Sequence, residues 1–197
     1  MKIAVFASGG GSDLQAIIDG CKSGALKAEI AVVISNNSNS MALERARNHD
    51  IPAFHYSTKT NPEDLDDAIL TVLLAHQVDM IFLAGYLRKT GSAILQQFKN
   101  RVFNIHPSLL PKFGGQGMFG INVHAAVIEA GESETGITIH RVDDEYDTGA
   151  ILAQRTVPVM PDDTAEILAA RVLTEEHKFI VEIIAQIIDG QIELGVK

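Results

Sequence analysis

The chain of 197 residues contains a single cysteine, Cys21, and no tryptophan. One thiol forms no internal disulfide and no thiolate metal cluster, which suits a reducing compartment such as the cytoplasm. Long apolar runs are also missing, so no stretch reads as a bilayer-spanning helix. The apolar start Ile3-Ala4-Val5-Phe6-Ala7 ends at Ser8-Gly9-Gly10-Gly11, too early for a signal segment, and reads as a first strand. Positive charge is scarce: 16 Lys and Arg against 25 Asp and Glu leave a formal net charge of -9. That balance argues against general adhesion to nucleic acid or to an anionic membrane, and any anion site must be a local one. With 46% hydrophobic and 21% charged residues, the composition fits one globular domain over residues 1–197. Composition is neutral between a monomer and a homodimer.

What the chain does have is regular alternation. Lys2 to Ala7, Glu29 to Ile34, Ile51 to Tyr56, Asp79 to Tyr86 and Arg101 to His106 read as strands. Between them lie helical patterns at Asp13 to Cys21, Met41 to His49, Pro62 to His76 and Ser92 to Phe98. Strands separated by helices imply an α/β, Rossmann-like three-layer fold, with a mainly parallel central sheet and helices on both faces. The second half is less regular. Lys112 to Asn122 is a glycine-rich loop, Val123 to Ala130 a helix, Thr135 to Val142 and Ala150 to Val159 strands around a polar loop, and Asp163 to about Ile188 a long helix. Thr164, Ile167, Leu168, Val172 and Ile180 mark that helix's expected apolar face.

In such sheets ligands gather beyond the carboxyl ends of the strands, where Ser8 to Asp13, Ala84 to Arg88 and Asn104 to Ser108 should meet. Asn104 and His106 are two apart on a strand, so they share a face, and Pro107 ends the pairing. An amide can hold a carbonyl-like oxygen, and an imidazole titrates close enough to neutrality to move a proton. Asp147 would orient that imidazole and favour its protonated form, although four acids in Asp143-Asp144-Glu145-Tyr146-Asp147 equally describe a solvated loop. Ser8-Gly9-Gly10-Gly11-Ser12-Asp13 is either a cradle for a single phosphate or an ordinary tight turn capped by Ser12 or Asp13. It lacks the third glycine of a dinucleotide fingerprint and the Gly-Lys-Ser/Thr of a triphosphate loop. His106, His124, His140 and His177 fall on four separate elements without zinc spacing, so no metal is expected. Ser108 stands beside His106 outside any Gly-x-Ser-x-Gly elbow and is expected to shape the turn.

Asn104-Ile105-His106-Pro107-Ser108-Leu109-Leu110-Pro111 resembles the hallmark stretch of the folate-dependent formyltransferases. Ser8-Gly9-Gly10-Gly11-Ser12, Leu83-Ala84-Gly85-Tyr86-Leu87-Arg88, Gly136-Ile137-Thr138-Ile139-His140 and Asp147-Thr148-Gly149 follow in that family's order, and the resemblance runs to about Ile180. It implies formyl transfer from 10-formyltetrahydrofolate, as cosubstrate, to the amine of glycinamide ribonucleotide in purine synthesis. Asn104, His106 and Asp147 match the family's catalytic groups. Gly11, Ser12 and Asp13 match its phosphate site, and Glu176 matches a carboxylate that contacts the substrate. Leu83, Leu87, Arg88, His140, Asp143 and Asp144 fall where the folate pterin would lie. The chain departs from the family at three places. Asp13 stands where many members have asparagine, and the basic folate-tail contacts near Thr60 to Glu63 are not evident, so the tail is either weakly held or held by Lys59 or Arg88. The Phe113 to His124 loop is longer and richer in glycine, and is expected to be a mobile flap.

Overall fold

In a computed structural model, which describes residues 1–61 and 63–194, the chain forms one seven-stranded sheet in the order β3-β2-β1-β4-β5-β6-β7. The strands are β1 (Lys2–Phe6), β2 (Glu29–Ser35), β3 (Ala53–His55), β4 (Met80–Leu83), β5 (Val102–His106), β6 (Glu134–Arg141) and β7 (Ile151–Pro158). The first five pair in parallel, as the alternation with helices requires, while β6 and β7 run antiparallel. The helices are α1 (Ser12–Ser23), α2 (Met41–Asn48), α3 (Leu65–Ala75), α4 (Ser92–Gln97), α5 (Ile121–Glu129) and α6 (Ala165–Ile188).

Alternate residues of the central strands feed two cores. Ile3 and Val5 face a cluster completed by α1, α2, α5 and α6, including Leu14, Ile17, Leu43, Val127 and Ile180. Ala4 and Phe6 face the other, where Leu65, Ile69 and Leu73 of α3 and Ile94 of α4 cover the sheet. Burial on both sides explains why these strands read as unbroken apolar runs. Phe82 and Phe103 meet in the first core with ring centroids 6.2 Å apart.

The expected elements all occur, with shifts at their ends. The strand expected over Asp79 to Tyr86 narrows to Met80–Leu83, although single backbone bonds continue as Ala84 N–H donates to Phe6 and Ser8 N–H to Gly85. The helix expected from Pro62 begins at Leu65; Pro62 itself lies outside the described residues. On α6, Ile167 is 50% exposed rather than part of the apolar face. The buried stripe runs through Leu168, Val172, Glu176, Phe179, Ile180 and Ile183, and Ile167 sits one residue, about 100° of helix, off that line. Thr164 serves instead as the N-cap, its Oγ1 accepting from Ile167 N–H at 3.3 Å.

The turn between β6 and β7 is packed without slack. A Cβ on Gly149 would lie 1.8 Å from the Arg141 carbonyl oxygen, a contact that backbone movement alone can relieve. Gly149→Ala should therefore cost roughly 1–3 kcal/mol of stability, as overpacking usually does. Urea unfolding checks this, and an unchanged midpoint would mean that the turn yields freely.

Candidate active site

The end of β5 delivers Asn104 and His106 to one face, and its antiparallel partner β6 sets His140 directly opposite Asn104 and Thr138 opposite His106. The loop after β6 then brings back Asp147, which adopts a left-handed backbone with φ 58°. Aspartate tolerates that region better than most residues, and here it turns the carboxylate inward. Asp147 Oδ2 stands 3.6 Å from His106 Nδ1, with the two side chains only 10% and 5% exposed. The three residues picked out by sequence thus meet.

Carbonyl partners settle the hydrogens on both rings. His106 Nε2 lies 2.8 Å from the Phe113 carbonyl oxygen and must carry the hydrogen, which leaves Nδ1 facing Asp147 as the atom free to take up a proton. His140 Nδ1 donates to the Arg141 carbonyl at 2.8 Å, so its Nε2 accepts from Asn104 Nδ2 at 3.1 Å. The other Nδ2 hydrogen of Asn104 goes to Asp147 Oδ1 at 3.3 Å. Gly115 N–H donates to Asp147 Oδ2 at 2.9 Å. Ser108 shapes the turn as expected, its Oγ donating to the Lys112 carbonyl at 2.7 Å.

Burial pushes the His106 pKa below its ordinary value, and this outweighs the opposing pull of Asp147 and of the Phe113 carbonyl. The expectation that Asp147 favours a protonated His106 therefore holds for the sign of that one interaction and fails for the net result. For Asp147, burial alone would raise the pKa. The His140 ring, the His106 charge and the Gly115 N–H together hold it below the ordinary carboxylate value.

These residues border a cavity of about 590 Å³. Of the expected folate-side positions, Leu83, Leu87, Arg88, His140 and Asp143 line it, while Asp144 does not and is solvent-exposed. Asp143 organises the acidic loop, its Oδ1 accepting from Thr148 Oγ1 at 2.8 Å and from Glu145 N–H at 3.1 Å. Arg88 approaches Asp66 at 4.0 Å on the cavity's rim, whereas Lys59 is absent from its lining.

At the other end, Ser8, Gly9, Asp13 and Glu176 line the same cavity, with Gly11 and Ser12 half-buried beside it. Neither Ser12 nor Asp13 caps α1: the N-cap is Gly11, and no side chain bonds there. The N–H groups of Gly10, Gly11, Ser12 and Asp13 donate to no acceptor among the described residues. Asp13 is buried with Oδ1 unbonded, 3.7 Å from His177 Nε2. Burial pushes its pKa up to about 6, the His177 charge opposing. Burial, and then the Asp13 charge, drive Glu176 well above the ordinary carboxylate range.

Sequence reasoning missed the backbone groups of Phe113 and Gly115, which hold His106 and Asp147. Such roles leave no side-chain signature, and the only available signal was the glycine richness of 114–120.

With this geometry in place, comparison with known proteins assigns a class. A model of the Formyl transferase family matches residues 1–184, and the chain belongs to that family. Several of the particular proteins it resembles share one name. Phosphoribosylglycinamide formyltransferase of Haemophilus influenzae is 41% identical over 195 residues, covering 98% of this chain and 90% of that protein. The chloroplastic phosphoribosylglycinamide formyltransferase of Vigna unguiculata is 45% identical over 97% of this chain, which spans 62% of that longer protein. The crystal structure of phosphoribosylglycinamide formyltransferase from Bacillus halodurans superposes with a TM-score of 0.90 at 34% identity, covering 100% of both chains.

The electrostatics of Asp13 carry a pH signature. Its folded pKa of about 6 lies above the ordinary aspartate value of 3.8, so the folded state holds the proton more tightly. Stability from that proton is fully present below about 4 and lost as pH rises through about 6. Asp13→Asn should therefore raise thermal stability at pH 8, by roughly 1–3 kcal/mol, and the gain should shrink between pH 6 and 4. Melting curves across that range check it; a gain that grows towards acid would reverse the sign.

Proposed function

We propose that this chain transfers the formyl group of 10-formyltetrahydrofolate to the amine of glycinamide ribonucleotide in purine synthesis. The observation that carries this reading is the meeting of Asn104, His106 and Asp147 at one cavity that also borders a loop with unbonded backbone N–H groups. In this reading the ribonucleotide phosphate sits on the backbone N–H groups of Gly11, Ser12 and Asp13, and Glu176 contacts the substrate. The pterin lies against Leu83, Leu87 and Arg88, with Asp143 and His140 nearby. No metal takes part.

The reaction needs a single proton to change places. The amine attacks the formyl carbon, and the carbonyl electrons move onto oxygen. The amine's proton passes to His106 Nδ1, or through water to the His106–Asp147 pair, where the carboxylate at 3.6 Å stabilises the imidazolium. A neutral resting His106 suits this role, because it starts as a base. Collapse of the intermediate breaks the bond from carbon to the folate nitrogen, which takes that proton as it leaves. The oxyanion needs a donor in place. Asn104 can supply one by turning the hydrogen of its longer bond, 3.3 Å to Asp147, towards the formyl oxygen.

His106→Ala and Asp147→Asn should each lower kcat by about two to four orders of magnitude, the usual scale for proton-transfer groups, with KM changed far less. The assay follows folate release with and without glycinamide ribonucleotide. Near-normal turnover in both variants would sink the mechanism, and release independent of the amine would make the chain a hydrolase.

A further inference from the structure

The glycine loop after β1 is held from behind by α2. The Gly9 carbonyl accepts from Ser40 Oγ at 2.9 Å and from Ala42 N–H at 3.2 Å. The Gly10 carbonyl accepts from Arg45 Nε at 2.8 Å. The Gly11 carbonyl accepts from Gln15 N–H at 3.0 Å, and the Gln15 side chain in turn accepts from Arg45 Nη1 at 3.2 Å. Gly11 itself has φ +69° and leaves no room for a side chain, since a Cβ there would lie 2.8 Å from Ala42.

In a trans peptide the C=O and the following N–H point in opposite directions. Tying the carbonyls of Gly9, Gly10 and Gly11 towards α2 and α1 therefore turns the N–H groups of Gly10, Gly11 and Ser12 the other way. Those are the donors that meet no acceptor among the described residues. The direction of the cradle is thus set by groups outside the cavity, and Arg45 is the charged one among them.

We propose that Arg45 is a positioning residue for the substrate's phosphate: it holds the Gly10–Gly11 peptide so that the Gly11 N–H faces the anion. This rests on the phosphate placement given above. Arginine suits the task because its planar fork reaches two acceptors on different elements at once, Gly10 on the loop and Gln15 on α1. A lysine at this position offers a single point of attachment.

The test is steady-state kinetics of the full chain, varying each substrate in turn, with inorganic phosphate as a competitive probe against the ribonucleotide. Losing a hydrogen bond to a charged donor predicts that Arg45→Ala raises both the ribonucleotide KM and the phosphate inhibition constant by about tenfold. Its kcat should stay within about twofold and its folate KM unchanged, a split that mere loosening of the fold would not produce. Arg45→Lys, which keeps the charge and loses the fork, should fall between, at about threefold. Gln15→Leu removes the second attachment, together with the bonds from Gln15 Nε2 to Asp19 and His49 on the side away from the loop, should raise the same two constants by about twofold, and serves if Arg45→Ala does not fold. Unchanged constants in Arg45→Ala, or a fall in kcat at constant KM, would overturn the role of Arg45 while leaving the phosphate site standing. If phosphate fails to compete in the unaltered protein, the phosphate placement is wrong and the proposal falls with it.

Discussion

A carboxylate taken almost out of water must be met by donors, and Asp147 is where this molecule faces that requirement. Its side chain is 10% exposed; Gly115 N–H and Asn104 Nδ2 donate to it from separate directions, and the rings of His106 and His140 stand 3.6 and 3.5 Å away, where either would stabilise the charge on taking up a proton. No single element could supply them all. The strand β5, its antiparallel neighbour β6 and the glycine-rich loop before α5 must close together for the charge to be tolerated. A site whose members satisfy one another is ordered before any substrate arrives, which is what the proposed proton transfer needs.

The topology makes that closure possible. Five parallel strands bring the β1 and β4 loops and the end of β5 to one edge of the sheet, and the switch to antiparallel β6 returns the chain across Asn104. Parallel pairing alone would place every strand end at this edge and leave nothing to run back past it. The β6–β7 hairpin supplies His140 from its strand and Asp147 from its loop. The long helix α6, packed under the same face, brings Glu176 to the cavity's far end.

Much of this was legible before any coordinates. Strands buried on both faces announce themselves as short apolar runs, and the two-residue spacing of Asn104 and His106 can mean only one shared face on a strand. What stayed hidden was of two kinds. Relations through backbone atoms, such as Phe113 with His106 or Gly10 with Arg45, depend on the direction of peptide planes, and residue types do not encode it. Balances between opposing effects were hidden as well. The sequence placed a carboxylate beside a histidine and suggested an imidazolium, but burial of the ring decides the outcome, and burial is a property of the assembled fold. Asp13 is a similar case: its carboxyl, out of place beside the proposed phosphate cradle, is held part-way to neutrality by the packing that buries it. Ile167 marks the limit of periodicity, since a stripe of helical spacing cannot say which of two adjacent apolar residues faces inward.

The Phe113 carbonyl gives the loop before α5 a second identity. It is at once a wall of the cavity and the hydrogen-bond partner that selects which nitrogen of His106 carries its hydrogen. Two residues on, the same loop grips Asp147 through Gly115. Displacing this segment would loosen the imidazole's tautomer and expose the carboxylate in one movement. In the proposed mechanism, the shape of the cavity wall and the readiness of the pair for proton transfer are therefore set by one and the same segment.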